Sequence, residues 1–213
     1  MNKGLFITFE GGEGSGKSTQ IQLLKTYFEQ RGKEVVLTRE PGGSIGAEEI
    51  RTLLLKGGVS RWDKKTEMLL FTAARRDHLV KKIWPALKDG KVVLSDRFQD
   101  STVAYQCFGY GYDDKIYQDA GYLYHFIADD FKPDLTIILD IEPMIGLKRS
   151  MTRQGNDEQR FEQMDISFHQ NIRNAFLTLA KNEPERFIVV NADQEIEQIH
   201  QEIVKKLKER FNA

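Results

Sequence analysis

The sequence predicts an α/β fold: a doubly wound, five-stranded parallel sheet with helices on both faces. Three observations carry this expectation. Five short apolar runs, at 5–9, 35–38, 92–94, 135–139 and 187–190, are continuous rather than alternating, the pattern of strands buried on both faces. Stretches with apolar residues at helical spacing lie between them, as parallel strands joined by helical crossovers require. The first run also leads into a glycine-rich loop and then a helix.

Leu5-Phe6-Ile7-Thr8-Phe9 forms the first strand and ends at Glu10. A helix over 17–31 follows from Ile21, Leu24 and Phe28, which share one face. The second strand ends in Arg39-Glu40, and helices over 47–55 and 66–88 fill the next crossover. The third strand runs into Ser95-Asp96-Arg97, and a helix over 113–129 leads to the fourth. Helices over 143–151 and 164–181 precede the fifth strand, and a helix over 195–210 closes the chain with Ile196, Ile199, Ile203 and Leu207 at helical spacing. Asp140, just after the fourth strand, reads as a cap for the helix opening at Glu142-Pro143. No Pro-, Gly- or Ser-rich linker divides the chain, so residues 1–213 read as one domain, with the polar segment at about 149–160 as a mobile lid.

Composition excludes several functions. Hydrophobic residues make up 40% of the chain, enough for a sizeable core, and the 30% that are charged sum to −1, so no basic field invites nucleic acid or an anionic membrane. The lone Cys107 cannot form an intrachain disulfide, and no apolar run approaches the ~20 residues of a membrane span. A cytoplasmic protein is expected.

Gly11-Gly12-Glu13-Gly14-Ser15-Gly16-Lys17-Ser18 fits G-x-x-x-x-G-K-[ST] in its proper strand-to-helix context. Glycines let successive N–H groups point inward at a polyphosphate, beside the positive end of a helix. Gly11, Gly12, Glu13, Gly14, Ser15, Gly16, Lys17, Ser18 and Thr19 are therefore the candidate residues for ATP, with Lys17 reaching the β/γ oxygens and Ser18 ligating Mg²⁺. Asp96, at the end of an apolar strand, suits the same Mg²⁺. Ligands in such sheets sit beyond the carboxyl ends of the strands, where Glu10, Arg39-Glu40 and Asp96-Arg97 converge. Surplus cationic groups favour a kinase, which needs a second phosphate pocket, over a hydrolase. Arg39, Arg75 and Arg97 can grip an acceptor phosphate, and Arg149, Arg153 and Arg160 can deliver charge from the lid. Phe71 and Arg75, four apart on one helix, offer a stacking ring and a donor fork to a nucleobase, and Thr102 and Gln106 repeat the spacing. The chain has no Asn-Lys-x-Asp motif of guanine readers and no Cys/His set at metal-ligand spacing.

These segments resemble bacterial thymidylate kinases over nearly the whole chain. The resemblance rests on residues 9–18, on Thr38-Arg39-Glu40-Pro41-Gly42-Gly43, on Phe71-Thr72-Ala73-Ala74-Arg75, and on Asp96-Arg97-Phe98 leading into Ser101-Thr102-Val103-Ala104-Tyr105-Gln106. It implies a homodimeric nucleoside monophosphate kinase of the phosphate-loop type. That family passes the γ-phosphoryl of ATP to dTMP, giving dTDP on the way to dTTP. It further implies that Phe71 stacks on thymine and that Arg75, Thr102 and Gln106 bind its polar edge. Arg39 and Arg97 would hold the dTMP phosphate, with Glu40, Pro41 and Ser101 beside it. Glu10 would act near the acceptor sugar or the metal, Tyr105 would pack near the deoxyribose, and the Glu40–Pro41 peptide would be cis. Because the loop itself carries no arginine, the resemblance is to the branch that supplies a catalytic cation from the lid: Arg153 first, then Arg149 and Arg160. The apolar stripe of the 66–88 helix, or the segment after Asp96, would form the dimer surface. Two other readings fit the residues alone: a kinase for CMP, GMP or AMP, and an ATP-binding regulatory module with no acceptor site.

Overall fold

The computed structural model describes residues 4–58, 61–151 and 161–211. Its sheet has five parallel strands in the order β2-β3-β1-β4-β5: β1 (Leu5–Glu10), β2 (Val35–Arg39), β3 (Val92–Asp96), β4 (Leu135–Asp140) and β5 (Phe187–Asn191). Helices α1 (Lys17–Glu29) and α9 (Ile196–Phe211) cover one face. The other is covered by α3 (Lys64–His78), α4 (Trp84–Lys88), α6 (Asp114–Ala128) and α8 (Ile166–Asn182). The remaining helices are α2 (Ile45–Leu55), α5 (Gln99–Thr102) and α7 (Pro143–Met151).

Strand alternation divides β1 between two cores. Ile7 and Phe9 pack with Ile21, Leu24, Ile199, Ile203 and Leu207, while Phe6 joins Leu79, Ile83, Val93, Phe98 and Ile127 on the opposite face. The expected doubly wound sheet is thus present. Burial on both faces holds for the central β1, β3 and β4 but not for β2, an edge strand whose Val35 to Thr38 are only half-buried.

Two stretches depart from the sequence reading. The helix expected over 66–88 starts at Lys64, capped by the Asp63 carboxylate on the N–H groups of Lys65 and Thr66, and is interrupted by a π-helical turn at Leu79–Ile83. Pro85 accounts for the interruption: it brings no N–H and its ring crowds the carbonyl four residues back, which a wider turn accommodates. The segment after Asp96 is helical too, as α5 followed by a π-helical run at Val103–Gly109. The expected Asp140 cap is replaced by an ion pair, with both carboxylate oxygens accepting from Arg173, at 2.7 and 3.0 Å.

The phosphate loop rests on α7 through glycine on both sides. A Cβ on Gly14 would collide with the Gly146 carbonyl, and a Cβ on Gly146 with that of Glu13. Gly146→Ala is therefore expected to destabilise the protein by roughly 1–3 kcal/mol, a fall in Tm of about 2–10 °C, by overpacking this contact. Thermal melts that coincide with wild type would show that loop and helix can part freely.

Candidate functional site

A cleft of about 260 Å³ opens beyond the carboxyl ends of β1, β2 and β3. Parallel register sets its floor: Asp96 lies beside Phe9 on one side and Arg39 on the other. Glu13, Ser15, Lys17, Ser18, Arg39, Glu40, Pro41, Phe71, Arg75, Asp96, Arg97, Ser101, Thr102, Tyr105 and Gln106 all line it, so the structure gathers most of the expected site residues in one place.

One end is the phosphate loop. Gly11, Gly14 and Gly16 have φ of 133°, 66° and 89°, conformations that glycine adopts without penalty, and Gly16 leads directly into α1. The buried Lys17 ammonium lies on the loop's own carbonyls, 3.1 Å from Gly11 O and 2.9 Å from Gly12 O. Burial, then the neighbouring Arg97 charge, lowers its pKa. Ser18 Oγ donates to Asp96 Oδ2 at 3.2 Å, which joins a hydroxyl and a carboxylate where the loop opens. Thr19 is exposed on the first turn of α1 and does not line the cleft.

The other end is built around two arginines. Arg97 takes a left-handed backbone, φ 71°, a strained conformation for a non-glycine residue, held by its N–H donating to Phe9 O at 2.9 Å. Its guanidinium donates to Gly11 O, Ser101 Oγ and Glu13 Oε1, at 3.1, 3.1 and 2.7 Å, and lies over the Tyr105 ring. The Tyr105 hydroxyl donates to the same Glu13 oxygen at 2.8 Å. Burial pushes the Glu13 carboxyl up, but the charges of Arg97 and Lys17 outweigh it and bring its pKa down to about 2. Glu13 is expected to serve ATP through the backbone of the loop; its side chain reaches Arg97 and Tyr105, because the glycine spacing fixes the backbone and not the direction of the intervening side chain.

Arg75 is buried at 2% exposure and donates to Glu40 Oε2 (2.7 Å), Gln99 Oε1 (2.5 Å) and Thr102 Oγ1 (3.0 Å). Phe71 lies one turn before it on α3 and packs against Phe161. The Gln106 amide donates to Glu67 Oε2 at 3.3 Å, and its Oε1 has no partner among the described residues. Arg39 is half-exposed and paired with Glu48, and the Glu40–Pro41 peptide is cis. Arg51, which the sequence reading overlooked, also lines the cleft and donates to Pro41 O at 2.7 Å. In the sequence it is one cation on an amphipathic helix, and only the fold of the preceding turn brings it to the site.

Two further expected residues differ. Glu10 lies beneath the cleft, fully buried, and its two oxygens accept from Phe98 N–H at 2.8 Å and Ser101 Oγ at 2.5 Å. Burial, reinforced by the Asp100 charge, raises its pKa to about 8. An enclosed carboxyl with both oxygens already engaged within the protein is a poor ligand for Mg²⁺. The structure therefore makes Glu10 a support for the turn carrying Arg97, not a metal ligand. Arg149, expected among the lid cations, ties α7 to the loop after β5, donating to Ala192 O at 3.0 Å and Asp193 Oδ1 at 2.7 Å, and does not line the cleft. Arg153 and Arg160, with most of the expected lid, lie outside the described residues.

Glu10 gives a pH signature. Its folded pKa of about 8 exceeds the ordinary 4.5, so between these values the native state holds a proton that the unfolded chain has lost. The stability it contributes is full below about pH 4.5 and disappears as pH rises through about 8. Glu10→Gln, which mimics the protonated carboxyl, should gain Tm relative to wild type as pH is raised from 6 to 9. A constant offset across that range would rule out this titration.

The chain matches the thymidylate kinase family over residues 9–203. It is 44% identical over 210 residues to the thymidylate kinases of Bacillus thuringiensis (strain Al Hakam) and Bacillus anthracis (strain CDC 684 / NRRL 3495), covering 98% of this chain and 99% of each relative. The crystal structure of thymidylate kinase from Ehrlichia chaffeensis superposes with a TM-score of 0.76 at 37% identity, covering 96% of this chain and 99% of that one.

Proposed function

The chain belongs to the thymidylate kinase family, and on that premise we propose how its residues perform the reaction. It transfers the γ-phosphoryl of ATP to dTMP, yielding dTDP and ADP. The observation that carries the residue assignment is the buried Arg75 fork, fixed by Glu40, Gln99 and Thr102 and lining the same cleft as the Phe71 ring and the phosphate loop. Three of its five N–H donors are committed to protein, which leaves two for the polar edge of a base. Phe71 supplies the stacking face, and Arg97, Arg39 and Arg51 the cations for the acceptor phosphate. ATP phosphates lie on residues 11–18 with Lys17. Loose phosphoryl transfer needs alignment and charge neutralisation more than covalent help, and this cleft is lined for both.

Ser18 and Asp96 fit Mg²⁺: two hard oxygen donors at the mouth of the loop suit an ion that keeps waters and takes its other ligands from phosphate. When bound, that ion supplies charge neutralisation across the transferring phosphates. The catalytic cation beyond the loop is assigned to Arg153. The exposed Leu69 and Val80 of α3 and its flank, with Tyr122 and Phe126 of the adjacent α6, form an apolar face suited to a second copy of the chain. A cytoplasmic homodimer is the form proposed, and no helix among the described residues is long and apolar enough to cross a membrane.

Incubating the protein with ATP, Mg²⁺ and each of dTMP, dUMP, dCMP, CMP, GMP and AMP, and following ADP release, tests the base assignment. Release should be greatest with dTMP. A strong preference for a cytosine or purine nucleotide would refute the pocket as described. Light scattering should give twice the mass of the chain for wild type and a monomer for Phe126→Glu.

A further inference from the structure

We infer that His78, which does not line the cleft, is a positioning residue for recognition of the acceptor base, acting through Glu40 on Arg75. The inference rests on the assignment of Arg75 to that base.

Arg75 and His78 are three residues apart on α3 and share a face, and Glu40 follows the end of β2 directly. One carboxylate spans both: Glu40 Oε2 accepts from Arg75 Nε at 2.7 Å, and Oε1 lies 2.9 Å from His78 Nδ1. All three groups are buried, His78 completely. A carboxylate has no proton to give, so Nδ1 carries the hydrogen in this contact. The opposite ring nitrogen, Nε2, lies 2.6 Å from Thr38 Oγ1 on the last turn-ward residues of β2. The imidazole is thereby pinned at both ends, between the strand and the carboxylate.

The turn at Gly43 packs directly against the ring. Gly43, at φ 90°, passes so close that a Cβ there would collide with both His78 Nε2 and Thr38 Oγ1. One residue earlier on α3, Asp77 accepts from Ser44 Oγ at 2.6 Å and closes the same turn onto the helix. Glu40 anchors Arg75 at Nε, while Gln99 and Thr102 hold the other two nitrogens, and a carboxylate bound on one oxygen alone can still rotate and tilt the fork. His78 removes that rotation.

Three variants test this: His78→Leu, His78→Asn and His78→Gln. Asparagine keeps an N–H near Nδ1 and so the contact with Glu40; glutamine reaches towards Thr38 and loses it. The readouts are kcat, KM for dTMP and for ATP, and the dTMP/dCMP ratio of kcat/KM. Loss of one hydrogen bond to a charged group corresponds to roughly 10–100-fold, so His78→Leu and His78→Gln should raise KM for dTMP by about that factor and shrink the ratio similarly. KM for ATP should stay within about twofold, and His78→Asn should stay close to wild type, in keeping with this geometry. A folded His78→Leu with unchanged KM for dTMP overturns the inference, as does an equal rise in both KM values. Should the leucine variant not fold, equal behaviour of the Asn and Gln variants overturns it instead. Failure of wild type to turn over dTMP would refute the substrate assignment itself, a result distinct from all of these.

Discussion

Arg97→Ala is expected to lower kcat/KM for dTMP by roughly 10²–10³-fold, the equivalent of the ~2.7–4 kcal/mol that follows loss of one preorganised donor to developing charge. Arg97 joins the two halves of the cleft: one guanidinium nitrogen reaches the phosphate-loop carbonyl of Gly11 and the α5 hydroxyl of Ser101, the other the Glu13 carboxylate. Truncation removes a cation from the acceptor phosphate and leaves Glu13, whose pKa of about 2 depends foremost on Arg97 among its cationic neighbours, facing an incoming anion. Both changes act in the same direction. Arg97→Lys should recover little, since an ammonium cannot make the forked contacts from one position. Ala and Lys are no better suited than Arg to the left-handed backbone at this residue, so the shortfall both variants share measures the guanidinium and not relief of strain. Steady-state kinetics within tenfold of wild type for Arg97→Ala would remove this residue from the acceptor site.

What the sequence discloses here follows from how local each feature is. The runs at 92–94 and 135–139 read as strands because they are buried between helices on both faces, a condition written directly into their composition. The glycines at 11, 14 and 16 are legible for a similar reason, since positive φ is a property of the residue itself. Glu13 could not be read so simply. Its position in the loop is local, but its partners Arg97 and Tyr105 are 84 and 92 residues away. Glu10 is a stronger case: an acid at the end of a strand suggests a metal ligand, and only Asp100, Ser101 and the depth of burial turn it into a supporting group. Arg51 and Arg149 show the two sides of the same difficulty. Each is one cation on a helix, and tertiary contact with Pro41 brings the first into the cleft while Asp193 draws the second away. The π-helical turn at Leu79–Ile83 has a local cue in Pro85, but that at Val103–Gly109 has none, because hydrogen-bond register within a helix is not an intrinsic preference of its residues.

Lys17→Met is expected to reduce kcat by roughly 10²–10³-fold, the usual cost of losing one preorganised donor to developing charge, while KM for dTMP changes less than threefold, about 0.6 kcal/mol. The asymmetry follows from where Lys17 lies. Its ammonium touches Gly11 O, Gly12 O and, at 3.4 Å, Ser15 Oγ, all within the phosphate loop and none at the Arg75 end. Those carbonyls hold the charge in place at the loop, and under the proposed function phosphate oxygens would take their place. Burial and the proximity of Arg97 both lower the Lys17 pKa, a cost that Asp96, Glu13 and Glu10 offset only in part and that an incoming polyphosphate would relieve further. Methionine fills the stem's volume and removes that cost together with the function, so Tm should hold or rise as kcat collapses. Lys17→Arg should not rescue turnover, because a planar fork does not fit where a compact ammonium sits among three oxygens. A proportional rise in KM for dTMP, or a fall in Tm matching the loss of rate, would mean that Lys17 holds the loop together and does not act on the transferring phosphate.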